Sequence, residues 1–225
     1  MRARDLSAED HARVSAAIAA SEGGTSGEIV AITAPVSDAY HDVGLHYAIG
    51  ALFLYLGCLA AWPELLDGAW TVLMGWSAPP DMRAFLTLLL GLALALFLLV
   101  LFAMRWMPLR LALTPGATKT RRVRRRAIIL FKAAAERRTE GRTGILIYLS
   151  MGEHRAEIIG DEAITAVTTD ATWGEAMATL VIQVKAGRTA DGIVAAVQQI
   201  GAVLAEHFPR SEADTNEIPD KLIEL

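Results

Sequence analysis

The residues best placed for chemistry form one short run, Glu153-His154-Arg155-Ala156-Glu157-Ile158-Ile159-Gly160-Asp161. It holds three acids, an imidazole and a guanidinium within nine positions. Residues 155–160 alternate as a strand does, so Arg155 and Glu157 share one face while Ala156 and Ile158 face a core. Asp161 stands just past that strand's end, a common place for ligands in α/β sheets. With Glu28 or Asp170 nearby it would offer oxygen ligands to a hard divalent cation such as Ca²⁺ or Mg²⁺. A water on such an ion could attack a phosphoester. The same residues also have a purely structural reading. Glu153 and His154 then occupy a hairpin, Arg155 and Glu157 form a surface pair, and Asp161 caps the next helix.

The sequence contains no phosphate-cradling glycine loop, no G-x-G-x-x-G, no H-E-x-x-H and no C-x-x-C. Its one cysteine, Cys58, lies in an apolar stretch, which excludes a disulfide scaffold. The 225 residues are 53% hydrophobic and 20% charged, with mean hydropathy +0.37, which excludes a disordered chain.

The apolar surplus is concentrated in two stretches. Residues 84–104 carry no charge and place leucines around the whole circumference of a helix, enough to cross a hydrocarbon core of ~30 Å. Residues 45–62 form a shorter apolar run edged by Tyr47 and Trp62. A patch at 69–76 between them is too short to span and is expected to rest at the membrane surface. The expectation is therefore a transmembrane hairpin over 45–104. Neither stretch reads as a signal peptide, because the first begins more than 40 residues into the chain without a basic segment before it.

Basic residues assign the sides. The connecting loop holds Glu64, Asp67 and Asp81 against Arg83 alone, whereas Arg105, Arg110, Lys119 and the run at 121–126 (RRVRRR) follow the second stretch. This predicts a multi-pass protein of the inner (cytoplasmic) membrane with both termini in the cytoplasm. Within that run Arg121, Arg122, Arg124, Arg125 and Arg126 are assigned to anionic headgroups rather than to nucleic acid.

The remaining segments supply an α/β domain. Ser7 and Asp10 make a capping box before a helix with Val14, Ala17 and Ile18 on one face, Leu6 can staple its start, and Gly23-Gly24 stops it. Residues 28–34 (EIVAITA) and 143–150 (TGILIYLS) read as strands, the second apolar enough to be covered on both faces. Helices are expected over 118–138, 173–185 and 189–208, the last capped by Thr189. The acidic tail 211–225 is expected to be held through Ile218, Leu222 and Ile223. One helix and one strand before the hairpin cannot build a core alone, so the 28–34 strand must join the 143–150 strand.

These segments, together with Thr25-Ser26-Gly27, Trp173, Gly192-Ile193 and His207-Phe208-Pro209, resemble the TPM domain family. They resemble more narrowly its bacterial branch, in which two membrane spans interrupt the domain. The resemblance covers residues 6–35 and 117–225. It implies a three-layer α/β/α sandwich split by the hairpin. For activity it implies either a membrane-anchored interaction or accessory module with a protein partner, or a divalent-metal-dependent acid-phosphatase-like hydrolase. The family's better-known members expose the domain outside the cytoplasm, whereas the charges here place it inside.

Overall fold

The computed structural model describes residues 6–75, 81–134, 141–169, 171–210 and 217–225. They fall into two compact units, one built from the chain up to Asp38 and from Pro115 onward, the other from Ala39–Thr114.

The first unit begins with α1 (Ala8–Glu22), opened by the Ser7–Asp10 capping box in both directions. Strand β1 (Glu28–Ala34) follows and is buried along its whole length. After the second unit come α6 (Gly116–Ala134), β2 (Gly144–Ser150) and β3 (Arg155–Gly160). The chain continues through α7 (Glu162–Val167), α8 (Gly174–Lys185), α9 (Thr189–His207) and β4 (Leu222–Glu224). Among the described residues the strands form one sheet in the order β3-β2-β1-β4. β1 runs parallel to β2, with Glu28 beside Gly144 and Ala34 beside Ser150. It also runs parallel to β4, while β3 returns antiparallel to β2.

Side chains alternate across this sheet as a pleated backbone requires. Ile29, Ala31, Ile145, Ile147, Leu149 and Ala156 pack against α1, α8 and α9 through Ile18, Leu180, Ile193, Val197 and Ile200. Val30, Ile32, Leu146 and Tyr148 pack on the other face against Val123, Ala127 and Phe131 of α6 and against Ile218. The result is a three-layer sandwich with α6 as one cover, matching the expected fold class.

Several local details differ from the sequence reading. The last helix is capped by Arg188, not Thr189. Gly187 turns the chain with φ +78°, and Arg188 bonds back to Gln183 through both its amide and its side chain, which leaves Thr189 as the first helical residue. α7 is the helix that the capping reading of Asp161 requires, whereas β4 was not anticipated, being too short to show a period. The basic helix is described to Ala134, so its expected end at 135–138 lies outside the described residues.

The second unit contains α2 (His41–Ala61), α3 (Glu64–Met74), α4 (Met82–Ala103) and α5 (Met107–Leu113). α2 and α4 are long and apolar enough to cross a membrane, and they pack on each other. Gly44 lets them approach, since a Cβ there would lie 3.1 Å from Met104 Cβ. The patch at 69–76 lies in a separate helix, α3, described to Met74, with Trp76 outside the described residues. Arg110 on α5 is buried. Its guanidinium donates to the carbonyls of Ala39 and Arg105 and meets His41 Nδ1 at 3.1 Å, tying α5 to the start of α2.

The α1–α9 seam depends on two small residues. A Cβ on Gly201 would lie 2.6 Å from Ser21 Cβ. Gly201→Ala gains about 1 kcal/mol of helix propensity but overpacks the seam at a cost of about 1–3 kcal/mol. The expected outcome is a lower denaturation midpoint, restored when Ser21→Gly is added.

Candidate functional site

Loops at the carboxyl ends of parallel strands are where α/β sheets carry their ligands. Here that end is formed by Ala34 and Ser150, the segment leaving β1 and the turn between β2 and β3. The two loops are fastened together: the amides of Met151 and Gly152 donate to Ala34 and Pro35 carbonyls at 2.9 and 2.8 Å. Glu153 is the centre of the fastening. One carboxylate oxygen accepts the Ser37 amide at 2.8 Å and the other accepts the Ser150 hydroxyl. Ser37 Oγ lies 2.9 Å from Tyr148 Oη, and burial pushes the Tyr148 phenol up from its ordinary value. His154 turns the chain with φ +51° and stays exposed.

Basic residues of α6 and β3 rim this end. Arg122 pairs with Asp38 at 3.0 Å, Arg124 approaches Glu157 at 3.9 Å, and Arg155 donates to the Gly116 carbonyl at 3.2 Å. Arg155 and Glu157 thus share a face as expected, but each engages α6 rather than the other. The hydroxyl–carboxylate pair Ser150–Glu153 has the makings of a nucleophile and base. Ser150 is fully buried, however, and Glu153 is committed to two donors, so the pair works as a latch between loops.

Asp161 and Glu28, two of the residues singled out for metal, sit elsewhere. Because β3 is antiparallel, its carboxyl end lies beside the amino ends of β1 and β2, and the Asp161 amide donates to Gly144 O at 2.9 Å. Asp161 is therefore not at the ligand-bearing end of the parallel strands. It caps α7, its Oδ1 accepting the Glu162 amide at 2.8 Å. Glu28 is at the same end of the sheet, where its Oε1 accepts the Glu217 amide at 3.3 Å. Asp170 lies outside the described residues. Among the described residues no group of three or more His, Cys, Asp or Glu is arranged to hold an ion.

Glu28 instead belongs with Glu22, which the sequence reading passed over. Glu22 Oε1 accepts the Ile29 amide at 2.7 Å, and both acids are buried. Burial pushes the Glu22 carboxyl up to about 9, with Asp220 and Glu28 adding to the effect, and burial also raises Glu28. These acids receive the tail as it enters β4. The signal available in sequence was weak: Glu22 is a lone acid on an otherwise alanine-rich helix end.

The family model for the TPM domain matches residues 111–203, from within α5 to within α9. No curated protein matches the chain. The fold is similar to the NMR structure of BA42 protein from the psychrophilic bacterium Bizionia argentinensis sp. nov., with TM-score 0.56 and 19% identity over 98% of this chain and 95% of that one.

Two substitutions probe these features. Removing Glu153 with Glu153→Ala orphans the Ser37 amide and the Ser150 hydroxyl, at a cost of about 1–3 kcal/mol for each group left unpaired, read as a lower denaturation midpoint. Glu22 binds its proton more tightly when folded than when unfolded, so its contribution is full below the ordinary carboxylate range and is lost as pH rises toward about 9. Stability is expected to fall between pH 5 and pH 9 on this account. Glu22→Gln flattens that slope in equilibrium unfolding measured across pH.

Proposed function

Because the chain carries a TPM domain, we propose that it is an integral membrane protein in which this domain is an interaction module held at the bilayer by α2 and α4. The observation that carries the reading is the exposed apolar surface of α4. Leu86, Leu90, Leu94 and Leu98 recur every four residues and are each more than half exposed. A helix face of this kind needs a nonaqueous neighbour, and 22 residues suffice to span the ~30 Å hydrocarbon core. The excess of Lys and Arg after the second apolar stretch supports a cytoplasmic side for the TPM domain and both termini in this reading.

The module reading draws support from the carboxyl end of the sheet. Its hydroxyls and Glu153 are spent on joining two loops, which leaves a rigid platform rimmed by His154, Arg122, Arg124 and Arg155. A rigid rim of mixed polar and charged groups suits recognition of a protein surface.

The test has two arms. Reporter fusions at Leu225 and within the 63–81 loop are expected to report opposite sides of the membrane, and a photocrosslinker replacing His154 is expected to capture a partner of discrete mass in intact cells. A Leu225 reporter active only outside the cytoplasm overturns the topology. A crosslinker that yields no discrete adduct overturns the module. Divalent-dependent phosphoester hydrolysis that is lost in Asp161→Asn would replace the module with the hydrolase.

A further inference from the structure

Helix α6 has a basic outer face, with Arg124 and Arg122 on its two flanks. It carries seven Lys or Arg residues and no acid. Arg122 and Arg124 lie toward the domain's own acids, Asp38 and Glu157. Arg121, Arg125, Ile128, Ile129 and Lys132 follow helical spacing along the side opposite the buried Val123, Ala127 and Phe131. This outer face is exposed, including the two isoleucines at 37% and 49%. Among the described residues, no carboxylate pairs with Arg125 or Lys132.

Long cationic side chains flanking β-branched apolar ones is the composition of a helix that lies in an interface. The charges sit among headgroups and the apolar side chains enter the acyl boundary. The helix begins 13 residues after α4 ends, close enough along the chain for its charges to act on the adjoining leaflet. An acidic protein would match the charges but would not by itself account for two exposed isoleucines between them.

Resting on the membrane-anchored reading above, we propose that the outer face of α6, through Arg121, Arg125 and Lys132 with Ile128 and Ile129, docks on anionic phospholipid headgroups. Arg122 and Arg124 do not take part. They hold the helix to its own domain, so the basic run divides its work between two partners. Each outer cation contributes about fivefold to the association, and salt weakens it.

The experiment uses the full chain in lipid nanodiscs, with Cys58→Ala and a polarity-sensitive fluorophore on Ile129→Cys. Discs of phosphatidylcholine alone are compared with discs containing phosphatidylglycerol. The expected result is a blue-shifted emission, quenched by brominated acyl chains, in the anionic discs only and lost at high salt. Combining Arg121→Gln, Arg125→Gln and Lys132→Gln returns the neutral-disc emission, whereas Arg122→Gln retains the shift. Circular dichroism of each variant confirms folding. Equal emission in both discs, or a shift that survives the triple substitution, overturns the proposal. A shift produced by added polyglutamate but not by anionic lipid also overturns it, in favour of an acidic protein. Carbonate extraction of the native membranes separates the two levels. Release of the chain overturns the anchoring itself, whereas retention without the shift overturns the lipid-facing helix alone.

Discussion

The parallel ladder between Glu28–Ala34 and Gly144–Ser150 joins two parts of the chain that the apolar segment separates. Neither part has a core without it. The α1–β1 segment would expose Ile29, Val30 and Ile32, and α6 would have only half a surface to cover. The register also sets the chemistry available at each end of the sheet. It puts Ala34 beside Ser150, which brings Ser37 within reach of Tyr148 and Glu153. At the other end it puts Glu28 beside Gly144, where the buried acids meet the returning tail. The two ends thus differ in kind: one is rimmed by arginines, and the other holds protonatable acids under cover.

Packing of α6 on the sheet has a similar double effect. Val123, Ala127 and Phe131 fill the space over Leu146 and Tyr148 and fix the rotation of the helix. That rotation turns Arg121, Arg125 and Lys132 away from the sheet and leaves Arg122 and Arg124 on the flanks, within reach of Asp38 and Glu157. A cluster that looks uniform as a string of letters becomes two sets with different neighbours, distinguished by 100° of turn per residue rather than by residue type.

Much of this architecture is legible in the residues. The Ser7–Asp10 box, the two strands with continuous apolar runs, the antiparallel return at 155–160 and the long apolar helices all follow from short-range patterns whose periods are plain. Of the two readings of Asp161, the helix cap is the one seen, while the ligand-bearing place given to it depended on strand direction. A residue at the carboxyl end of an antiparallel strand lies at the amino end of its parallel neighbours, so the hairpin at 151–154 already turns Asp161 away from the ligand-bearing end. Glu22 and Ser37 were missed because their partners, Asp220 and Tyr148, lie more than a hundred positions away. β4 is three residues long and owes its existence to the free edge of β1, not to propensity of its own.

The position of β1 has a consequence for biosynthesis. Both of its neighbours, β2 and β4, are encoded downstream of the apolar segment. When a ribosome has made β1, the strand has two bare edges and nothing to pair with until more than a hundred further residues have emerged. At ordinary elongation rates that interval is on the order of ten seconds. An extended, largely apolar strand in that condition is a template for wrong pairing. On the membrane-anchored reading proposed above, insertion of the apolar helices precedes closure of the sheet, and the nascent α1–β1 segment waits unpaired through it.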